Sequence, residues 1–268
     1  DQRTLLGVLQ VALTACAEEL DVDVRRLALA TGLGKSTVAR ALHRLRRDGR
    51  LVQAAEAEST HAARWRLIHP AHWEISPGQP GGTQGEPAPV TRTPQQTPAP
   101  SREDLLHRVE ARLEIASHDV WAEYSPTHPR GLGRHLEATY AALVEHGLHL
   151  YTVDCQSVSR LTGYSTARTS RHLRILADHG LIDPHTGLPT DVSALDAAAA
   201  RLGTQGVRAA RERRYEAERA AHAAWHAELA LLRAPLARLP RIDRRYERTA
   251  TGRPDHGAQI AYHLAAAA

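Results

Sequence analysis

The segment from Val22 to Val52 of this 268-residue chain returns, at a constant offset of 131 residues, from Val153 to Asp183. VDVRRLALATGLGKSTVARALHRLRRDGRLV faces VDCQSVSRLTGYSTARTSRHLRILADHGLID, and Val22, Asp23, Thr31, Gly32, Arg40, Leu42, Leu45 and Gly49 align with Val153, Asp154, Thr162, Gly163, Arg171, Leu173, Leu176 and Gly180. The matches include a helix-capping Asp and both glycines. Those residues set where helices start and stop, so the repeat points to one structural unit used twice.

Each copy reads as a helix-turn-helix: a short helix capped by Asp23 or Asp154, a glycine turn, and a longer basic helix. In the first copy Leu27, Ala28, Leu33, Val38, Leu42 and Leu45 mark the inward face at helical spacing. Gly32 stands at the sharp turn, and Gly49 ends the second helix. The outward set is Lys35, Ser36, Thr37, Arg40, His43 and Arg44, side chains suited to phosphates and base edges in a major groove. RLVQAAEAESTHAARWRLIHP then reads as a strand, a polar tip from about Glu56 to His61, and a second strand ending near Ile68. Together these make a wing.

Thr31-Gly32-Leu33 followed by Ser36-Thr37-Val38-Ala39-Arg40 and Leu42 resembles the winged helix-turn-helix signature shared by bacterial regulators of the MarR, GntR and IclR kinds. The resemblance covers about a quarter of the chain. It implies binding of double-stranded DNA with the second helix in the major groove and the wing near the backbone. Many families share the signature, so it fixes no pathway.

The second copy keeps the contact chemistry with different letters: Ser165, Thr166, Arg168, Ser170, Arg171 and Arg174. Its inward positions are poorer, with Thr169 and His172 where the first copy has Val38 and Ala41. Its wing shrinks to DPHTGLPT, a turn with little room for strands. A winged-helix fold used for dimerisation or packing without DNA is the competing reading for either copy.

The expected fold is mainly α with small β wings. It comprises a first winged domain over residues 1–75, a Pro/Gly-rich linker over 76–100, a helical connector over 101–130, a second winged domain with reduced wing over 131–190, and an Arg-rich helical region over 191–268. Ser76 to Ser101 has few large apolar groups and extends by up to ~3.1 Å per residue where it is Pro-rich. Helices are expected from Leu5 to Glu18, Arg102 to Glu123, Leu136 to Glu145 and Asp191 to Leu202, with a long one after Gly203 reaching about Leu232. In that last helix Tyr215, His222, Trp225, Leu229 and Leu232 have the spacing of a packing seam, either for a homodimer or for packing back on the second winged domain. The last residues carry no chemical signal.

The net charge is only +4, but Lys35, Arg40, Arg44, Arg46, Arg47 and Arg50 are opposed locally by Asp48 alone. Clustering of that kind attracts nucleic acid more than the total does. One Lys against thirty-three Arg, with much Ala, reads as coding from a GC-rich bacterial genome. No apolar stretch reaches the ~20 residues of a membrane helix and no signal-peptide pattern opens the sequence, so no membrane partner and a cytoplasmic location are expected. Cys16 and Cys155 form no CxxC pair and are expected to be buried small residues.

Gly32-Leu33-Gly34-Lys35-Ser36-Thr37 superficially suggests a phosphate-binding loop. The upstream glycine such a loop needs is replaced by Leu29, and the segment joins two helices instead of following a buried strand. His69 with His72 and His146 with His149 lack Cys or carboxylate partners at metal-site spacing and read as solvent-facing. No catalytic residue, no metal ligand set and no cofactor is expected, although the missing initiator Met leaves room for an enzyme domain elsewhere. The sequence thus points to specific double-stranded DNA binding through two unlike recognition helices, in replication or maintenance of a plasmid or mobile element. Tandem winged domains in plasmid replication initiators are the architectural analogy. The alternatives are a transcriptional regulator, a tandem winged-helix protein-interaction subunit like those of chromosome-condensing complexes, and the DNA-binding end of a larger primase or helicase.

Overall fold

The computed structural model describes residues 1–57, 62–68, 100–122, 130–147, 154–191, 193–233 and 244–267. Their fold is mainly helical, with one small antiparallel sheet. In chain order the elements are α1 (Gln2–Ala15), β1 (Glu19–Val22), α2 (Val24–Thr31), α3 (Lys35–Arg47), β2 (Leu51–Ala55), β3 (Ala63–Leu67), α4 (Arg102–Ser117), α5 (Arg134–Gly147), α6 (Cys155–Thr162), α7 (Thr166–Asp178), α8 (Ser193–Leu202), α9 (Val207–Arg233) and α10 (His256–Ala266). They divide into two compact units, residues 1–27 with 34–113 and residues 28–33 with 114–268. The linker expected over 76–100, the tip of the first wing, and His69, His72 and His149 lie wholly or almost wholly outside the described residues.

In the first unit the sheet has the order β1-β3-β2, with Leu20 and Gln53 opposite Trp65 on either side of the central strand. Strand β3 alternates: Trp65 is buried while Arg64 and Arg66 are exposed. Val8, Leu20, Leu27, Val38, Leu42, Leu45, Leu51 and Trp65 make the core. Helix α1 stops three residues before the expected Glu18, where Cys16 takes a left-handed conformation at φ 51°. The next residues enter the sheet as β1, a strand the sequence reading did not anticipate. Cys16 is exposed and its sulfur accepts from the Arg102 guanidinium, while Cys155 is partly buried, so the expectation of two buried cysteines fails.

The repeat survives as backbone geometry. Helices α6 and α7 begin and end 131 residues after α2 and α3. Asp23 accepts the N–H of Arg25 at 2.8 Å, and Asp154 accepts those of Gln156 and Ser157 at 2.8 and 2.9 Å, so both caps act as expected. Gly32 and Gly163 turn at φ 67° and 69°. The two long helices end alike: Arg50 N–H reaches Leu45 O at 2.9 Å around Gly49 (φ 68°), and Leu181 N–H reaches Leu176 O at 2.9 Å around Gly180 (φ 67°). This is the six-residue return that lets a helix stop with its carbonyls satisfied.

Among the described residues of the second unit no strand follows α7. Ile182 and Pro189 make a single antiparallel bridge around a turn, held by Asp183, which accepts from His185 and Thr186. The apolar cover comes instead from α8 and a short 3-10 turn at Asp119–Trp121, which join Leu136, Tyr140, Leu143, Val158, Leu176, Leu181 and Ile182 in one core. That turn also shortens the connector. Helix α4 ends at Ser117, short of the expected Glu123, because the His118 ring accepts from Val120 N–H and Val120 and Trp121 drop into the core. Asp119 then caps α9 through the N–H groups of Gly206 and Arg208, both at 2.7 Å.

Helix α9 packs on α10, a helix absent from the sequence reading. Trp225 meets Tyr246 and His256 edge-on, with ring centroids 5.2 and 5.7 Å apart. Glu228, 1% exposed, takes the Arg245 and Arg248 guanidinium groups at 2.9 and 3.0 Å. Its burial works to raise its pKa, but those bonds and charges and the Tyr246 N–H hold it below the usual carboxylate value. The expected seam is thereby altered. Tyr215 is buried and Trp225 is taken up by the chain's own C-terminal segment, while Leu232 stays 58% exposed. No described helix is long and apolar enough to cross a membrane.

Both inward substitutions in the second copy are buried, Thr169 at 0% and His172 at 6% exposure. The Thr169 hydroxyl has no hydrogen-bond partner among the described residues, whereas the equivalent Val38 has no hydroxyl to satisfy. A buried unsatisfied hydroxyl costs about 1–3 kcal/mol. Thr169→Val should therefore raise the unfolding free energy measured by denaturant titration by about 1–2 kcal/mol, and an unchanged or lower value would mean the hydroxyl is satisfied in solution.

Candidate nucleic-acid interface

Helix α3 buries Val38, Ala41, Leu42 and Leu45, a stripe at three- and four-residue steps that fixes its rotation against the unit. The remaining positions must face out. Lys35, Ser36, Arg40 and His43 are exposed and Thr37 is half-buried at the edge, and the Arg40 Nε donates to the Ser36 carbonyl at 3.2 Å. Arg46 and Arg47 extend the charge along the last turn, and Arg46 donates to Gln53 on β2 at 2.7 Å.

Arg44 behaves differently from the other five. Its guanidinium grips the Asp1 carboxylate through Nε at 3.0 Å and Nη2 at 2.6 Å. The repeat explains the placement, because the equivalent residue is the half-buried Ile175. Position 44 lies on the shoulder of the helix, where a long cation curls back onto the body.

In α7 all six expected residues, Ser165, Thr166, Arg168, Ser170, Arg171 and Arg174, are exposed. Ser165 caps the helix by accepting from Arg168 N–H. At equivalent positions Thr37 faces Arg168, Arg40 faces Arg171 and His43 faces Arg174. Arg at positions 40 and 171 is therefore the outward cation that both helices share. Arg168 lies 4.7 Å over the Tyr164 ring, which limits its freedom before any ligand arrives. Tyr164 is held in turn by a 3.0 Å contact between its hydroxyl and His135 Nδ1.

The sequence reading missed Arg66 on this surface and the hydrogen-bond partner of His172 beneath it. Arg66 is exposed on β3 beside α3's sheet, and its signal was the period-two alternation of Arg64, Trp65 and Arg66. His172, on the inner side of α7, contacts Thr139 Oγ1 through Nδ1 at 2.7 Å, and that hydroxyl gives its own proton to the His135 carbonyl at 3.2 Å. A neutral ring with Nδ1–H fits this arrangement. Among the described residues no group of three or more His, Cys, Asp or Glu is placed to hold a metal ion. Comparison with protein-family models, with curated proteins and with solved structures finds no match for the chain.

Burial, followed by the charges of Arg168, His135 and Arg171, holds the His172 pKa below the ordinary value of 6.5. The unfolded chain thus binds this proton more readily than the folded one. Stability should be complete above about pH 6.5 and should fall as the pH drops from there towards the folded pKa. Melting temperature measured from pH 7.5 to 5.5 should decline, and His172→Ala, which installs the first copy's residue, should flatten the decline; an equal slope in the variant would contradict the assignment.

Proposed function

We propose that the chain is a tandem winged helix-turn-helix protein that binds double-stranded DNA specifically, with α3 and α7 as its two recognition helices. The observation that carries this reading is the repetition, at one offset, of a capped short helix, a left-handed glycine turn and a second helix whose outward face is basic both times. A packing module has no need to keep Arg40 and Arg171 exposed at the same place while the buried residues around them drift from Val38 and Ala41 to Thr169 and His172. Exposed arginine on a helix of groove-sized diameter is suited to bidentate contact with guanine or to phosphate. In this reading β2 and β3 serve as the wing of the first unit, and the exposed Arg66 on β3 takes backbone phosphate.

The two helices carry different side chains, Lys35, Thr37 and His43 against Thr166, Arg168 and Arg174, so each would read its own sequence. An asymmetric two-part site suits that better than the palindrome of a simple repressor dimer. This supports a role at an origin or partition site of a plasmid or other mobile element, with the chain acting as a binding protein and not as an enzyme.

Duplexes selected from random sequence by the full chain test the reading. Arg40→Ala and Arg171→Ala should each weaken binding to the selected duplex by about 1–3 kcal/mol, each relaxing the preference at a different position of the site. A loss that is uniform over all sequences would assign that arginine to phosphate. Unchanged binding in the double variant would overturn the proposal.

A further inference from the structure

Helix α9 holds a pair of histidines one turn apart, His222 and His226, midway along its 27 residues. Side chains at this spacing share one helix face. The rings are 4.4 Å apart between centroids and inclined by 60°, and their Nε2 atoms converge to 3.2 Å. At that separation two neutral imidazoles share one proton, with one Nε2–H donating to the lone pair of the other.

We propose that His222 and His226 form a bidentate clamp for a late first-row divalent cation, Zn²⁺, Ni²⁺ or Cu²⁺. Imidazole is the nitrogen donor these ions favour, at about 2.0–2.1 Å from the metal. Two such bonds span about 2.9 Å at a right angle and about 3.4 Å at the tetrahedral angle. The 3.2 Å between the nitrogens falls within that range. The cation takes the place of the shared proton, which passes through water to Nδ1 of the same ring, so both rings remain neutral ligands.

The clamp is held ready by its surroundings. Trp225, between the two histidines in sequence, is locked against Tyr246 and His256, and Ala221 and Glu228 are buried on either side. The rotation of this part of α9 is therefore set, and the pair needs little rearrangement to chelate. His222 is exposed and His226 half-buried, and among the described residues no third His, Cys, Asp or Glu joins them, so the pair opens towards water or a donor from another molecule. Two protein ligands with open positions describe an exchangeable site and not a closed structural one.

The test uses the full chain, freed of metal by chelator dialysis, with its histidines ¹³C-labelled at Cε1, titrated with Zn²⁺ and read by proton-carbon correlation spectra. The seventeen histidines make a site-resolved readout necessary. The first two ring signals to shift should be those missing from His222→Gln and His226→Gln. In each variant the surviving partner should need at least ~10-fold more Zn²⁺, about 1.4 kcal/mol, and His185→Gln should leave the titration as it was. The unmoved signals of the other histidines report that each variant is folded. If other rings shift first, or if the surviving partner titrates as before, the clamp does not exist.

Discussion

Burial of one stripe on the second helix of each repeat governs the rest of the arrangement. Val38, Ala41, Leu42 and Leu45 are the buried stripe of α3, which packs on α1 and β2, and Thr169, His172 and Leu176 are that of α7, which packs on α5 and α6. A helix has only one rotation that buries such a stripe, so the same apolar contacts that hold the unit together also choose which side chains meet solvent. The left-handed glycines at positions 49 and 180 stop each helix at the same turn. Where the stripe accepts polar residues, as at Thr169 and His172, the second unit gives up packing quality without changing the outward face.

The two units solve one problem with different covers. A helix pair leaves an apolar flank that another layer must close. In the first unit the layer is the three-stranded sheet with Trp65 at its centre. In the second it is α8 and the turn that brings in Val120 and Trp121. The short turn around Asp183, where the first unit has strands, therefore goes with a different closure of the core.

The elements with strong local signals were legible in the sequence: the repeated caps and glycines, the inward stripe of α3, the strand pair β2 and β3 and the long α9. What escaped depends on partners far along the chain. ELDV becomes β1 only because β3, more than forty residues later, offers its edge. The end of α4 is set by Val120 and Trp121 entering a core assembled from α5 to α8. Arg44 carries the composition of a contact residue, but Asp1 takes its guanidinium, and only Ile175 at the equivalent position hints at that shoulder. Helix α10 is short and rich in alanine, and it gains its place by packing on α9, with His256 against Trp225 from some thirty residues earlier.

If the inward stripes orient two reading heads, the surface that changes on binding is fixed in advance. Backbone amide shifts of the isotope-labelled full chain, followed as a selected duplex is added, test this most directly. The account predicts the largest changes along residues 35–43 and 165–174 with smaller ones near Arg66, and little change in α9 and α10. Changes concentrated on the arginine-rich faces of α9, with α3 and α7 unmoved, would contradict it.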